Sequence, residues 1–314
     1  MKTVLVTGAS GCVGHRVVKA LLDSSGWRVR ALVREPRRLS VAGPPERLHA
    51  VAGDVAALAE GAAVHADVDA IIHLATAWGD PIAYPVNVDA TVALARLGVP
   101  MVHVATASVA DGRGGLAPAA FTHGTDYIVS KALAVQRLAE QGLRRHVTVL
   151  YPTLVVAGTR GGPPSHVGRA LAQAGPWLRW LRHVRAEGRF LLIHAEDVAR
   201  VALAALEAPA PGADWVVGNA PVTVAEALAE LCAVHGLRYT GRLDAEPLVR
   251  LAPRLAGRRM TSWDRHCLTH RDHALPAVNP RALGLAPGRE TLAAMAAFEG
   301  WGGARKGMVG GGLA

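Results

Sequence analysis

The feature that most constrains the fold of this chain is a glycine-rich turn between a buried strand and a helix at its start. Residues 3–6 are apolar or β-branched, which predicts a buried strand, and residues 13–22 carry apolar side chains at helical spacing. The turn between them spans residues 7–14 and has the sequence Thr-Gly-Ala-Ser-Gly-Cys-Val-Gly. A strand, a glycine turn and a helix in this order indicate a dinucleotide-binding unit. The alternative is a flexible turn that binds no ligand.

Each glycine of the turn has its own physical role in such a unit. Gly8 permits a tight backbone turn, Gly11 lets a pyrophosphate approach the main chain, and Gly14 allows the helix to pack closely on the strand. The amides at the start of the helix then face the phosphates, which the positive end of the helix dipole also favours. The cofactor-binding residues predicted in this turn are Gly8, Ser10, Gly11, Cys12, Val13 and Gly14.

The balance of charge bears on the partners of the protein. The chain has 314 residues, with 34 Lys and Arg against 25 Asp and Glu, for a formal net charge of +9. Its arginines are scattered and do not form a dense basic run with interleaved aromatic residues, so we expect no nucleic-acid partner. Binding of an anionic cofactor or substrate is a sufficient use for part of this charge.

Composition and cysteine spacing are typical of an enzyme with a large core. The chain is 51% hydrophobic, which suits an α/β enzyme and not a disordered protein. Its three cysteines are far apart and lack metal-ligand spacing, so we expect neither a disulfide framework nor a metal site. The first strand begins too early for a cleavable signal, and no apolar run reaches transmembrane length. We therefore expect a soluble, cytoplasmic protein without a membrane partner.

Predicted strands and helices alternate along most of the chain. This alternation implies right-handed βαβ units and a parallel sheet, so we predict an α/β fold with a Rossmann-type doubly wound parallel sheet and a smaller, mostly C-terminal substrate-binding lobe. After the first strand and helix, the predicted strands are residues 27–33, 48–52, 68–75, 99–105, 146–151, 190–194 and 215–217. The predicted helices are residues 54–61, 86–97, 125–141, 167–184, 196–207, 223–235 and 290–298.

The same pattern predicts the domain organisation. Residues 1–157 form an NAD(P)-binding Rossmann domain, and residues 190–220 return to its sheet. The substrate-binding lobe comprises residues 158–189 and 221–300, and residues 301–314 form a flexible, glycine-rich tail.

A second motif, Tyr127-Ile-Val-Ser-Lys131, lies on the helix that follows the fifth strand. A separation of four residues on a helix places Tyr127 and Lys131 on one face, where the ammonium favours the phenolate and lowers the pKa of the tyrosine. Such a pair would transfer a proton near neutral pH. Alone the motif is common on helix surfaces, but it gains significance after a glycine turn and five strands.

Together these motifs resemble the extended class of the short-chain dehydrogenase/reductase superfamily, an NAD(P)-dependent epimerase/dehydratase-like family. This class includes nucleotide-sugar epimerases and dehydratases as well as dihydroflavonol-type reductases. The resemblance covers nearly the whole chain, and the ordered set of motifs is more specific than any single member. Besides the glycine turn and the tyrosine–lysine pair, the matching segments are Gly53-Asp54, His73-Leu74-Ala75, Val86 to Thr91, Tyr151 to Val155 and Ile193 to Ala199.

This resemblance implies roles for particular residues. Lys131 would bind the nicotinamide ribose, and Tyr127 would give or take the substrate proton. Asp54 and Val55 would meet the adenine, although Asp54 is also placed to cap a helix. The other residues implied to contact the cofactor are Leu74, Ala75 and Thr76 along its channel and Pro152, Thr153, Leu154 and Val155 beside the nicotinamide.

The third catalytic position has two candidates. The family usually has Ser-Ser-Ala-Ser-Val-Tyr-Gly at this strand end, with the second serine polarising the substrate oxygen, whereas this chain has residues 105–112 with an extra residue before Gly112. Matching from the strand places Thr106 in that position, where it supplies the same hydroxyl. Counting back from Gly112 leaves no hydroxyl there, so Ser108 is the reserve candidate. Both hydroxyls could instead only cap the strand end.

The function that follows is hydride transfer between a nicotinamide and a small organic substrate, with Tyr127 handling the proton. We favour reduction of a ketone or aldehyde, or oxidation of the alcohol, because the region after Gly158 is short and rich in proline and tryptophan. Nucleotide-sugar epimerisation or dehydration and a non-catalytic cofactor-binding role remain the alternatives. The predicted substrate-binding residues are Trp78, Ser108, Tyr151 and Trp177.

The end of the second strand bears on the choice of cofactor. NAD-specific sites usually carry a carboxylate there, about twenty residues beyond the glycines, to bind the ribose 2′-hydroxyl. This chain has Arg34 at that place, with Arg37 and Arg38 following, and a guanidinium binds a 2′-phosphate well. Glu35 keeps NAD open, because a shift of one residue would bring its carboxylate to the ribose. We predict NADP in preference to NAD.

The resemblance also implies a homodimer. Residues 86–97 and 125–141 correspond to helices that pair across a four-helix contact in many family members. Leu133, Val135 and Leu138 would give the second helix an apolar surface for that contact.

Overall fold

A computed structural model describes residues 1–24, 26–58, 67–79, 81–247 and 260–302. Its helices and strands are numbered here in chain order. The strands are β1 (Lys2–Thr7), β2 (Trp27–Val33), β3 (Leu48–Ala52), β4 (Ala70–His73), β5 (Met101–Val104), β6 (Val147–Pro152), β7 (Leu154–Val156), β8 (Val184–Arg185), β9 (Arg189–Phe190), β10 (Leu192–His194), β11 (Asp214–Val217), β12 (Val222–Thr223) and β13 (Leu243–Asp244).

The longer helices connect these strands or cover them. They are α1 (Cys12–Asp23), α2 (Ala90–Ala95), α3 (Pro118–His123), α4 (Asp126–Glu140), α5 (His166–Ala174), α6 (Leu178–Leu181), α7 (Ala195–Glu207), α8 (Val224–Val234), α9 (Ser262–Thr269) and α10 (Leu292–Glu299). A π-helical turn, Pro85–Asp89, precedes α2, so the predicted helix 86–97 is irregular at its start. Of the predicted helix 54–61, the structure has a 3₁₀ turn at Ala56–Leu58, and residues 59–61 lie outside the described residues.

Seven strands form one parallel sheet in the order β3-β2-β1-β4-β5-β6-β11. The chain builds outward from β1 to β3, then returns past β1 and continues from β4 in the opposite direction. This reversal opens a crevice beyond the carboxyl ends of β1 and β4, where doubly wound folds bind their ligands. The predicted α/β fold with a Rossmann-type sheet is confirmed.

Alternating side chains of β1 enter cores on the two faces of the sheet. Val4 and Val6 pack with α1 and α7 on one face, whereas Leu5 packs with α2 and α4 on the other. All three are fully buried, because the strand lies in the middle of a sheet that helices cover on both sides. The first strand and the turn that follows it are therefore held rigidly.

A smaller third core lies outside the seven-stranded sheet. It joins α8 and α10 to the strand pair β7 and β10, with Leu231, Met295 and Val156 among its fully buried or nearly buried members. The predicted strand 190–194 is divided between β9 and β10, which pair with β12 and β7 and not with the large sheet. The predicted tail 301–314 lies outside the described residues from residue 303 onward.

The apolar residues of α4 on which the dimer prediction depends point mostly inward. Val135 and Leu138 are buried in the monomer core, and only Leu133 is half-buried. Most of the apolar surface on which the dimer prediction depends is therefore already buried within one chain. Among the described residues, no helix has the length and apolarity that a bilayer crossing requires.

Candidate active site

A cleft of about 830 Å³ lies along the carboxyl edge of the sheet. One part is formed by the glycine turn and the start of α1, another by the ends of β4, β5 and β6, and the rest by α4, the β7 segment and α5. The described lining includes one lysine and one arginine, Lys131 and Arg169, and no carboxylate. The cleft therefore suits a long ligand with an anionic section.

The glycine turn has no room for larger side chains at two positions. Gly8 has a φ of +69°, and a Cβ there would lie 2.6 Å from the amide nitrogen of Ala75. A Cβ on Gly14 would lie 2.1 Å from the carbonyl oxygen of Gly8. Because Gly8 and Gly14 have no Cβ, the start of α1 can lie directly against the end of β1, as the sequence predicts.

The start of α1 has the properties of an anion site. Gly11 is its N-cap and offers no side-chain hydrogen bond, and the first turn contains no acidic residue. The first amides of the helix are therefore available to an anion at the positive end of the helix dipole. Burial raises the pKa of the Cys12 thiol to about 11, so this residue adds no negative charge. These features fit the pyrophosphate of a nicotinamide dinucleotide.

Arg16, which the sequence analysis did not single out, lies beneath the turn with 2% of its surface exposed. Its guanidinium donates to the carbonyl oxygens of Cys12 and Pro163 at 2.9 and 3.0 Å and to those of Gly158 and Arg160 at 3.2 and 2.7 Å. It thereby ties the loop 158–163 to the first turn of α1. The sequence signal that could have identified Arg16 is its position as a charged residue within the helix predicted from the apolar residues of segment 13–22.

The residues predicted at the adenine end do not line the cleft. Asp54 is exposed, and its carboxylate accepts a hydrogen bond from the amide of Ala56 at 3.0 Å, which is the capping role left open by the sequence. Val55 is buried in the core. Arg34 is exposed at the end of β2 and has no hydrogen-bond or ion-pair partner among the described residues.

Residues predicted along the cofactor channel mostly line the cleft. Leu74 and Thr76 do so after β4, whereas the amide of Ala75 donates to the Thr7 hydroxyl at 3.3 Å. Ser10 is not part of the lining. The remaining lining residues predicted from the family resemblance are Pro152, Thr153, Leu154 and Val155.

The three predicted catalytic residues all reach the same part of the cleft. Thr106 follows β5, and Tyr127 and Lys131 project from the first two turns of α4. The Thr106 hydroxyl lies close enough to the Tyr127 hydroxyl to affect the pKa of the tyrosine. The Lys131 ammonium is 1% exposed and donates to the carbonyl oxygen of Val104 at 3.2 Å.

The predicted net lowering of the Tyr127 pKa is wrong for this structure. Burial raises the pKa of the Tyr127 hydroxyl, and the nearby Thr106 hydroxyl opposes that shift only partly. Burial also lowers the pKa of Lys131 to about 7, so the lysine is only partly charged near neutral pH. The sequence spacing shows which side chains meet, but the sign of the shift depends on how deeply both are packed.

Trp78 covers one face of Tyr127. The two rings are stacked, with centroids 4.1 Å apart and planes inclined by 16°. Trp78 also contacts the edge of His166, at a centroid distance of 5.2 Å. The predicted substrate residue Trp78 is thus next to the predicted proton donor, and His166 joins it without having been predicted.

The other predicted substrate residues are dispersed. Ser108 lines the cleft, and its amide donates to the Thr106 hydroxyl at 3.4 Å. Tyr151 is buried away from the cleft lining and donates its hydroxyl to Asp214 at 2.9 Å. Trp177 is 65% exposed and is not part of the lining. The structure therefore brings two of the four, Trp78 and Ser108, to the site.

The chain belongs to the NAD dependent epimerase/dehydratase family, whose sequence pattern matches residues 4–218. This finding confirms the resemblance drawn from the motifs. Among functionally curated proteins, none matches the sequence significantly.

Solved structures with the same fold include enzymes of different activities. The protein gox2253 is 18% identical with a TM-score of 0.70, over 96% of this chain and 99% of that one. A thiolation-reductase di-domain from an archaeal non-ribosomal peptide synthetase is 14% identical with a TM-score of 0.69, over 95% of this chain and 75% of that one. The dTDP-glucose 4,6-dehydratase of Bacillus anthracis, in complex with NAD, is 17% identical with a TM-score of 0.67, over 96% of each chain. Such identities show a shared fold.

Proposed function

We propose that the protein is an NADP(H)-dependent oxidoreductase that reduces a ketone or aldehyde, or oxidises the corresponding alcohol. The observation that carries this proposal is the meeting of Thr106, Tyr127 and Lys131 in a cleft that begins at a glycine turn. The lining of the cleft is mostly apolar and includes Trp78, which stacks on Tyr127, together with Leu154 and Trp263. Such a wall suits a small organic carbonyl compound better than a highly charged one.

The side chains around Tyr127 provide the proton chemistry. A bound nicotinamide would supply the hydride. Tyr127 would donate its proton to the carbonyl oxygen as that oxygen gains negative charge, while the Thr106 hydroxyl donates a second hydrogen bond to it. Lys131 is partly charged near neutral pH, so it would bind ribose hydroxyls and stabilise the phenolate after proton transfer.

Charges at the end of β2 support NADP. The Glu35 carboxylate is already paired with Arg37 and Arg38 at 3.0 and 2.9 Å, so it is less available to a ribose 2′-hydroxyl. Arg34 is exposed beside them, and together these four side chains leave a net positive charge. A 2′-phosphate would gain charge-assisted hydrogen bonds there.

The activity test combines a panel of ketones and aldehydes with NADPH and compares the wild-type protein with Tyr127→Phe. We expect wild-type turnover and a loss of about 10²- to 10⁴-fold in kcat in the variant, because only the proton-transfer hydroxyl is removed. Cofactor binding, measured by fluorescence titration, should persist. Near-normal turnover by Tyr127→Phe would reject the mechanism.

A separate titration tests the choice of cofactor. We expect NADPH to bind more tightly than NADH, and Arg34→Ala to reduce this preference while Arg179→Ala, at an exposed arginine outside the cleft lining, leaves it unchanged. Equal or tighter binding of NADH by the wild-type protein would reject the NADP assignment.

Nucleotide-sugar epimerisation or dehydration is the second candidate function. The family and the neighbouring dehydratase favour it, and Arg169, an exposed cation in the cleft lining, could meet a diphosphate. Incubation with nucleotide sugars, followed by mass spectrometry of the products, tests it. Conversion without net change in NADPH would replace carbonyl reduction by this candidate.

A further inference from the structure

The ring of Trp78 has one face occupied and one face open. Stacking on Tyr127 at 4.1 Å covers the first face, yet 61% of the residue remains exposed. Trp78 lines the cleft together with His166 and Trp263, which present further aromatic surface. An indole that remains exposed to solvent contributes little of the free energy that its burial would provide. Its position next to the proposed proton donor is therefore not explained by packing of the core.

The backbone around Trp78 is held in place from within the protein. Asn87, which is fully buried, accepts a hydrogen bond from the amide of Ala77 at 3.0 Å and donates to the carbonyl oxygen of Ala77 at 2.9 Å. The same amide group donates to the Ser130 hydroxyl at 2.9 Å, and Ser130 donates to the carbonyl oxygen of Tyr127 at 3.0 Å. One chain of hydrogen bonds thus positions both stacked residues.

A ring that is fixed in place and open on one side is a platform for another flat ring. Because contacts with Tyr127 and His166 already orient the ring, ligand binding loses less conformational entropy at this side chain, which is the benefit of preorganisation. Offset stacking or edge contact between aromatic rings contributes beyond the area that is buried. A saturated ring of similar size gains the same burial but lacks the electrostatic contact between two aromatic rings. The difference between an aromatic ligand and its cyclohexyl counterpart therefore measures that contact.

We infer that Trp78 selects carbonyl substrates that carry an aromatic ring, which packs against the indole while the carbonyl oxygen reaches Tyr127. This inference deepens the proposed carbonyl reduction and rests on it. Trp78 is then a specificity-determining residue, and Asn87 and Ser130 position it. Arg169, which lies in the same cleft and near enough to Cys12 to affect its thiol, is left for the anionic section of the cofactor.

The test uses two ketones of matched size, 4-phenyl-2-butanone and 4-cyclohexyl-2-butanone, with NADPH, because neither ring is conjugated with the carbonyl group. We expect kcat/KM to favour 4-phenyl-2-butanone by about twofold to tenfold in the wild-type protein. Trp78→Leu should abolish this ratio and Trp78→Phe should keep most of it, whereas Trp180→Leu, at an exposed tryptophan outside the cleft lining, should leave it unchanged. Equal kcat/KM for the two ketones in the wild type, or a ratio that survives Trp78→Leu, would overturn the inference.

A binding measurement separates this inference from the proposed activity. Benzamide and cyclohexanecarboxamide are not reduced, so calorimetry on the NADP-loaded protein reports ring preference without turnover. Tighter binding of benzamide that is lost in Trp78→Leu supports the aromatic site even if neither ketone is reduced, in which case the proposed reaction alone fails. Equal binding of the two amides would count against the site whatever the activity.

Discussion

Two buried cations border the same cleft, and their surroundings are opposite. Arg16 is 2% exposed and donates to four carbonyl oxygens, with the buried carboxylate of Glu299 at 3.9 Å. Lys131 is 1% exposed and has one hydrogen bond, to the carbonyl oxygen of Val104, with no carboxylate paired to it in the described part of the chain.

Under the proposed mechanism, this difference separates a structural charge from a functional one. The two terminal nitrogens of the Arg16 guanidinium replace their lost hydration with fixed partners and bind two segments of the chain together, whereas its Nε has no partner. The ammonium of Lys131 is desolvated without compensation, which lowers its pKa to about 7 and disfavours the folded protein. Uncompensated burial of this kind is typical of groups kept for chemistry.

The largest expected effect comes from removing the poorly compensated cation. Lys131→Met should reduce kcat/KM by about 10²-fold or more, because the variant loses both ribose binding and stabilisation of the Tyr127 phenolate. Its cofactor-free form should nevertheless unfold at a higher denaturant concentration at pH 7 than the wild type. Steady-state kinetics and chemical denaturation measure the two effects on the same protein.

The destabilisation caused by burying Lys131 depends on pH, and its direction follows from the lowered pKa of the lysine. Between about pH 7 and 10.5 the unfolded chain binds the Lys131 proton and the folded protein does not. The wild-type free energy of unfolding should therefore rise with pH across this window, relative to that of Lys131→Met. A difference that is constant from pH 7 to pH 9.5 would show that the lysine is not desolvated.

Removal of the satisfied cation should have the opposite effect on stability. Arg16→Met removes the donor to four carbonyl oxygens and leaves the Glu299 carboxylate with His194 and the amide of Arg160 but without a nearby guanidinium. We expect a loss of about 3–5 kcal/mol in the free energy of unfolding. Arg16→Lys should recover part of it and can replace the first variant if that one does not fold. A loss below about 1 kcal/mol in Arg16→Met would remove the contrast between the two cations.

The smallest expected effect concerns the two hydroxyls beside Tyr127. Thr106→Val should lower kcat by about 10- to 100-fold, because it removes one hydrogen bond to an oxygen that gains charge. Ser108→Ala should change kcat by less than about threefold, since only its backbone amide contacts Thr106. Both variants should keep the wild-type melting temperature within a few degrees. The reverse ranking would assign the catalytic hydroxyl to Ser108.

Local chemistry made much of the fold predictable. The bounds of β2 and β3 agree with the prediction, and α4 differs by one residue at each end, because strand and helix periods are carried by neighbouring side chains. The glycine turn was also predictable, since a positive φ at Gly8 and close packing at Gly14 admit no larger residue.

Spacing along the chain was therefore enough to predict the sheet, the glycine turn and the presence of Tyr127 and Lys131 in one cleft. The stacking of Trp78 on Tyr127 and the inward direction of Tyr151 became visible only in the folded structure. The partners of Arg16 in the loop 158–163 lie 142 to 147 residues away, and no local pattern encodes such contacts. Desolvation, which fixes the pKa of Lys131, likewise depends on every element packed around the residue.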